Sequence, residues 1–253
     1  MNTSEIAQRL DKAASEAQAI PQISLSQDFD ETTAYEIQRL SMEERYKRGD
    51  DFVGLKLGFT SFAKMEQMGV HDMIWGRLTS EMLYKAGREL PMNEFIHPRA
   101  EPELCFLVKK DIDREISLDE VGDYIEAVAP AIEIIDSRYE NFKFSLEDVI
   151  ADNCSSTAFV VGAWQNINQE IGELKMELVI DGEVIESGSS IAILGNPWLS
   201  VTNASRLAAK YKQAFPAGSY LMAGAATSAV FLKPGQKVLC RVENLGAVSL
   251  ETV

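Results

Sequence analysis

The sequence has few positive charges and no long hydrophobic segment. It holds 24 lysines and arginines against 39 aspartates and glutamates, and its formal net charge is −15. A protein this acidic is not attracted nonspecifically to a phosphate backbone or to an anionic membrane surface. No segment reaches the about 20 apolar residues that a membrane-spanning helix needs, and the charged N-terminal residues do not resemble a signal peptide. We therefore expect neither nucleic acid nor membrane as a partner.

Cysteine and histidine are also scarce. Cys105, Cys154 and Cys240 lie far apart and include no Cys-x-x-Cys pair. This spacing argues against a zinc knuckle, a redox dithiol and a disulfide framework, and it favours a reducing compartment, so we expect a cytoplasmic protein. The two histidines, His71 and His97, have no metal-binding spacing, and we expect them in loops without catalytic duty.

The distribution of apolar residues predicts helices followed by strands. Residues 2–19 and 30–48 have the pattern of two amphipathic helices, the second beginning at Asp30 and ending at Gly49. After Gly49 the apolar runs have strand length, and they occupy residues 53–59, 102–108, 129–135 and 156–162. Further helices are predicted near 61–68, 118–127, 145–152 and 198–213, and Ser145 and Asp148 have the spacing of a capping box.

The C-terminal third is mostly sheet in this interpretation. Asp181-Gly182 suits a two-residue type I′ turn between alternating segments and predicts a β-hairpin. No internal repeat, low-complexity tract or flexible linker divides the chain. We therefore predict the α+β class, with an N-terminal helical layer over residues 1–49 and a mixed β-rich domain over residues 50–253, together forming one compact unit.

Three glutamates occur where the pattern predicts strands of a hydrophobic core. The strand period of two places Glu101 and Glu103 on one face, and Glu133 lies between two isoleucines. An unpaired carboxylate buried there would cost several kcal/mol. Oxygen ligands without nearby histidine or cysteine suit a hard divalent cation, Mg²⁺ or Mn²⁺, better than zinc.

A simpler interpretation of the same residues needs no metal. Glu101 and Glu103 could lie on the solvated face of an edge strand, with Glu133 paired to an arginine such as Arg99 or Arg138. For an arbitrary Glu-x-Glu sequence this alternative is the more common one, and spacing alone does not decide between the two.

Lys56 shows the same incongruity as the glutamates. It is the only charge in the run Val-Gly-Leu-Lys-Leu-Gly-Phe at 53–59, and a buried ammonium needs a carboxylate or an anionic ligand beside it. The alternative is an edge-strand lysine whose amine reaches solvent. Lys56 is therefore a candidate site residue that supports the metal interpretation.

Five segments together resemble a known family. They are GLKLGFTSFAKMEQMGVHDMIWGRLTSEM at 54–82, HPRAEPELCFLV at 97–108, AVAPAIEIIDSRYENF at 127–142, ADNCSS at 151–156 and LMAGAATSAV at 221–230. Their order and spacing resemble the hydratase/decarboxylase branch of the fumarylacetoacetate hydrolase superfamily, whose members act on 2-oxo acids in aromatic meta-cleavage pathways. The resemblance runs from about residue 30 to the C-terminus and implies a mixed β-sheet roll or barrel.

The resemblance also implies roles for individual residues. Glu101, Glu103 and Glu133 correspond to the three metal-binding carboxylates and Lys56 to the active-site lysine. Two more residues, Ser156 and Thr227, lie in segments that line the substrate pocket.

One position separates the two activities of this branch. The hydratases of the branch that this chain resembles carry an acidic residue two positions before the glycine that is Gly76 here. This chain has Ile74 at that position. An isoleucine cannot move a proton, and loss of carbon dioxide needs chiefly an electron sink. The segment MIWGRLT at 73–79 instead resembles the decarboxylases of this branch, and this resemblance implies decarboxylation of 2-oxo-3-hexenedioate to 2-hydroxypenta-2,4-dienoate, with Ile74 and Trp75 expected beside the departing carboxylate.

Two other functions stay open from the sequence. The chain could be a 2-oxopent-4-enoate (vinylpyruvate) hydratase of the same branch, or a non-catalytic partner subunit. The expected partners are a small 2-oxo dicarboxylate and, in a protein complex, a vinylpyruvate hydratase homologue or further copies of this chain.

Overall fold

The computed structural model describes residues 1–61, 65–66, 69–167 and 170–253. The helices of this part of the chain are α1 (Thr3–Ser15), α2 (Glu31–Lys47), α3 (Val121–Tyr124), α4 (Leu146–Ala151) and α5 (Leu199–Lys210). The first strands are β1 (Phe52–Gly58), β2 (Ile74–Thr79), β3 (Leu83–Tyr84), β4 (Glu89–Leu90), β5 (Arg99–Val108), β6 (Ile125–Ile135) and β7 (Ser156–Val161). The remaining strands are β8 (Gln165–Asn166), β9 (Lys175–Ile180), β10 (Glu183–Ser189), β11 (Tyr220–Ala225), β12 (Val230–Phe231), β13 (Lys237–Val242) and β14 (Gly246–Thr252).

The strands form two mixed sheets. The larger sheet has the order β2-β1-β11-β5-β6-β7-β3, with β12 paired to β5 and β8 paired to β6. The smaller sheet has the order β10-β9-β13-β14-β4. Strand pairs β1–β11, β3–β7 and β4–β14 are parallel, and the other pairs are antiparallel. The predicted α+β class is confirmed, and β1, β5 and β6 lie inside the larger sheet with neighbours on both sides.

The two N-terminal helices begin as their sequences indicate. Asn2 caps α1 in a capping box with Glu5, and the Asp30 side chain accepts a hydrogen bond from the Thr33 amide at the start of α2. Ile6 of α1 and Ile37 of α2 are fully buried in the same hydrophobic cluster as the strands of the larger sheet. Burial of these apolar side chains fixes the helical layer against the sheet.

The predicted hairpin is confirmed, and one predicted helix is much shorter than expected. Asp181 and Gly182 have φ angles of 52° and 88°, as a type I′ turn between β9 and β10 requires. The helix predicted near 118–127 is a short turn followed by α3, because residues from Ile125 onward pair with β5. The helix predicted near 61–68 includes residues outside the described ones and stays a prediction.

The described residues contain no helix that combines the length and the apolar character needed to cross a membrane.

Candidate metal and substrate site

The three glutamates singled out in the sequence lie together on one face of the larger sheet. Glu101 of β5 is the direct cross-strand partner of Glu133 on β6, and Glu103 follows two residues along β5. One carboxylate oxygen of each lies within 4.8 Å of the others. Glu103 and Glu133 are almost completely buried, and β5 is an interior strand. The edge-strand interpretation of Glu101 and Glu103 is therefore wrong.

Buried oxygens that lack hydrogen-bond donors mark this cluster as a cation site. The Gly224 amide donates to Glu103 Oε2 at 2.9 Å, but among the described residues Glu103 Oε1 and Glu133 Oε1 have no hydrogen-bond donor, and Glu133 Oε2 has the Lys56 ammonium beside it. Burial and the neighbouring Glu133 charge raise the pKa of Glu103. Carboxylate oxygens crowded in this way repel one another, and a hard divalent cation such as Mg²⁺ or Mn²⁺ would compensate them. The donor set therefore fits such an ion.

Lys56 places a buried positive charge next to the glutamates. Its Nζ forms an ion pair with Glu133 Oε2 at 3.1 Å and donates to the Cys154 carbonyl oxygen at 3.3 Å. Burial disfavours the ammonium form, but Glu133 and Glu103 outweigh it and raise the pKa of Lys56 above its ordinary value. The pairing of Glu133 with an arginine is therefore wrong.

The two arginines that the simpler interpretation offered to Glu133 have other partners. Arg138 is paired with the buried Asp152, and Arg99 lies against two aromatic rings.

A tight turn between α4 and β7 holds the carbonyl that Lys56 contacts. Asn153, Cys154 and Ser155 have φ angles of 50°, 53° and 56°, an uncommon run of left-handed residues. The Asn153 side chain accepts from the Arg77 amide at 2.7 Å and donates to the Arg77 carbonyl at 2.8 Å. A Cβ at Gly76 would lie 2.6 Å from the Asn153 carbonyl oxygen, so only glycine permits this close approach of β2.

A cavity of about 150 Å³ opens from this polar cluster. Lys56 and Glu101 lie at its charged end, and Thr60, Ser61 and Ser155 add hydroxyl groups. Its apolar wall consists of Ile74, Ile135, Phe142, Phe144 and Val149. A ligand that carries oxygen atoms at one end and a carbon chain behind them matches this division.

Ile74 and Trp75, both predicted to lie beside the departing carboxylate, point to opposite faces of β2. Ile74 lines the cavity. Trp75 does not, because consecutive strand residues point to opposite faces, and its fully buried ring stacks against Tyr35 of α2 with a centroid distance of 5.3 Å. Trp75 is therefore a core residue of the helix–sheet interface in this structure.

The two predicted hydroxyl residues are displaced from the cavity wall. Ser156 is buried with its Oγ 4.0 Å from the Met82 sulfur, and the preceding Ser155 lines the cavity instead. In the segment that contains β11, Ala225 lines the cavity and Thr227 does not. Ser155 and Ser156 are consecutive residues that point in different directions, and Thr227 lies beyond the end of β11 at Ala225.

Sequence reasoning missed two groups of lining residues. Thr60 lies over Gly224, whose φ of 106° and missing Cβ leave room for the threonine side chain. Phe142 and Phe144 follow Glu140 in a polar loop, and two aromatic residues in such a loop were the available sequence signal.

Comparisons with known proteins agree with this geometry. Residues 68–252 match the family described as Fumarylacetoacetate (FAA) hydrolase C-terminal. A 4-oxalocrotonate decarboxylase of a Pseudomonas species is 51% identical over 252 residues, covering 100% of this chain and 98% of the relative. A 2-keto-4-pentenoate hydratase of Paraburkholderia phymatum is 31% identical over 248 residues, covering 96% and 94%.

A solved structure extends the likeness to three dimensions. The 4-oxalocrotonate decarboxylase of Pseudomonas putida G7, complexed with magnesium and adipate, superimposes with a TM-score of 0.95 at 34% identity, covering 99% of this chain and 97% of that one. The same enzyme has been solved with calcium and acetate. With its acidic cluster, its mixed sheets and these relatives, the chain belongs to the fumarylacetoacetate hydrolase family.

Proposed function

We propose that this chain is a metal-dependent carboxy-lyase that converts 2-oxo-3-hexenedioate (4-oxalocrotonate) to 2-hydroxypenta-2,4-dienoate and carbon dioxide. The observation that carries the proposal is the buried cluster of Glu101, Glu103 and Glu133, with Lys56 beside it and an apolar cavity wall facing it. Relatives named 4-oxalocrotonate decarboxylase support it, at 51% identity over 252 residues for one of them.

The three glutamates would hold the metal ion. A bound divalent cation supplies Lewis acidity toward the substrate's C1 carboxylate and C2 oxygen. Among divalent ions we propose Mg²⁺, with Mn²⁺ as a substitute, because all the ligating side chains offer oxygen. The related decarboxylase of Pseudomonas putida G7, solved in complex with magnesium, supports this choice.

Lys56 would stabilise the negative charge that develops when the substrate loses carbon dioxide. The C5–C6 bond breaks, its electron pair shifts along the conjugated chain toward the C2 oxygen, and that oxygen takes up a proton from solvent to give the 2-hydroxy product, with no water added. The ammonium is fixed between Glu133 and the Cys154 carbonyl, so it needs no reorganisation during the reaction. A preorganised charge in a buried site contributes about 3–4 kcal/mol to catalysis.

Ile74 favours decarboxylation over hydration at the same site. Hydration of a diene needs a group that delivers a proton, and the Ile74 side chain on the cavity wall has none. An apolar surface also disfavours the charged carboxylate relative to neutral carbon dioxide. The alternative, a vinylpyruvate hydratase, is supported by relatives such as the Paraburkholderia phymatum hydratase, at 31% identity.

The product suggests a partner. A Pseudomonas putida relative named 2-hydroxypent-2,4-dienoate hydratase, 33% identical over 196 residues, has a name that matches the proposed product as its substrate. We propose that the chain works in the cytoplasm beside such a homologue, or as a homo-oligomer. A non-catalytic subunit is the weaker alternative, since it would not need a complete cluster of buried ligands.

The assay is carbon dioxide release from 2-oxo-3-hexenedioate with Mg²⁺ and with a chelator. We expect release that the chelator abolishes, and loss of at least about a thousandfold in Glu133→Gln. Glu126→Gln is the matched control, because Glu126 lies on the same strand β6 but is exposed. Hydration of 2-hydroxypenta-2,4-dienoate without any carbon dioxide release would favour the hydratase, and an inactive, metal-free wild type would favour the non-catalytic subunit.

A further inference from the structure

Arg99 lies near the cavity and forms no ion pair with a carboxylate of the described residues, although the charge of Glu101 acts on it and partly offsets the lowering of its pKa by burial. As the first residue of β5 it shares a strand face with Glu101 and Glu103, and its cross-strand neighbour Ile135 lines the cavity. Its guanidinium carbon lies 4.0 Å from the ring centroid of Phe142, another lining residue. Arg99 is not itself a lining residue, but it lies directly behind the lining residues Ile135 and Phe142.

The aromatic contacts hold this guanidinium in place but do not neutralise it. Phe231 covers the other side, also at 4.0 Å from the guanidinium carbon, and is itself half exposed. Among the described residues no carboxylate oxygen comes within 4.0 Å of the Arg99 nitrogens, and its buried Nε has no hydrogen-bond partner. In a chain with net charge −15, a fixed and unpaired arginine beside a ligand cavity is well placed to bind an anionic ligand group.

We propose that Arg99 determines the enzyme's specificity for dicarboxylates by binding the carboxylate at the far end of the substrate. The inference rests on the proposed function, which places the 2-oxo acid end at the three glutamates. Arg99 lies two residues from Glu101 on the same face of β5, with a backbone spacing of about 6.7 Å, so both side chains extend to the same side of the sheet. A monocarboxylate would leave the guanidinium without its ligand.

This contact should act on substrate binding and not on the chemical step. The distal carboxylate loses its negative charge as carbon dioxide forms, so its attraction to Arg99 is strongest before the reaction begins. An interaction that stabilises the bound substrate more than the transition state lowers KM without raising kcat. Removing the guanidinium should therefore raise KM while kcat stays the same or increases.

The test compares two ligands that differ only in the distal carboxylate, 2-oxoadipate and 2-oxohexanoate, by calorimetric titration of the Mg²⁺-loaded protein. We expect wild type to bind the diacid about tenfold more tightly, a charge-assisted contact reduced by partial exposure to solvent. Arg99→Met should abolish this preference and leave the affinity for 2-oxohexanoate unchanged. Arg241→Gln, on the exposed side of β13, is the control and should behave as wild type.

A second variant guards against misfolding of the first. Phe231→Ala removes an exposed ring that holds Arg99 and should reduce the preference for the diacid severalfold. If wild type prefers the diacid and Arg99→Met keeps that preference, the inference is overturned and the proposed function stands. If wild type binds both 2-oxo acids equally well, the inference is likewise overturned. If wild type binds neither, both fail.

Discussion

The side chain of Asn153 should be worth several kcal/mol to the stability of the fold. Its amide makes two hydrogen bonds to the backbone of Arg77, at 2.7 and 2.8 Å, in a buried location. These bonds seat the left-handed turn on β2 at Gly76 and thereby fix the Cys154 carbonyl that orients Lys56. Burial raises the pKa of the Cys154 thiol to about 12, so the neutral thiol adds a hydrogen bond to the Trp75 carbonyl.

Two substitutions separate the hydrogen bonds from the backbone conformation. Asn153→Gly removes both bonds but accepts the φ of 50° without strain, and leaving two buried backbone groups unpaired costs about 1–3 kcal/mol each. With partial relaxation we expect a loss of about 2–4 kcal/mol. Asn153→Ala should lose about 1 kcal/mol more, because alanine is strained in the left-handed region.

Equilibrium urea unfolding of wild type and the two variants provides the measurement. Asn93→Ala, at an exposed position, is the control and should change the unfolding free energy by less than about 0.5 kcal/mol. We expect kcat to fall in both Asn153 variants as Lys56 loses its fixed position. Unfolding free energies of Asn153→Gly within about 0.5 kcal/mol of wild type would refute the structural role of this side chain.

Three further predictions follow from other parts of the site and its support. Because the pKa of Glu103 is raised in the folded protein, unfolding free energy measured in chelator should fall as pH rises through that pKa, and saturating Mg²⁺ should remove the effect. Ile74→Asp should lower carbon dioxide release at least about tenfold, and an unchanged rate would refute the apolar-wall argument. Asp148→Ala breaks two bonds from Ser24 and a third from the Ser145 amide in the capping box, and it should lower the unfolding free energy measured in urea by at least about 2 kcal/mol.

The candidate metal ligands could be identified from the sequence because they conflict with their surroundings. Glu103 and Glu133 occur in strands whose other residues are apolar, and burying them requires a compensating charge wherever the strands are placed. The same reasoning identified Lys56. The hairpin at Asp181-Gly182 was predictable for a local reason, since few residues adopt its two positive φ angles.

The rest of the site depends on tertiary placement that a single sequence does not contain. Whether Trp75 or its neighbour Ile74 faces the cavity follows from the side of β2 on which the helices pack. Ser155 replaces Ser156 because the turn before β7 is left-handed. The contacts that hold Arg99 could not be predicted, because the rings of Phe142 and Phe231 come from two separate parts of the chain.

Direct titration of Mg²⁺ into the chelator-treated protein tests the central claim, that Glu101 and the buried Glu103 and Glu133 hold a divalent cation. We predict binding of one ion per chain in wild type and in Glu126→Gln. Glu133→Gln should retain the folded structure and lose this binding. Equal Mg²⁺ binding by Glu133→Gln and wild type, or no binding by wild type, would contradict the account.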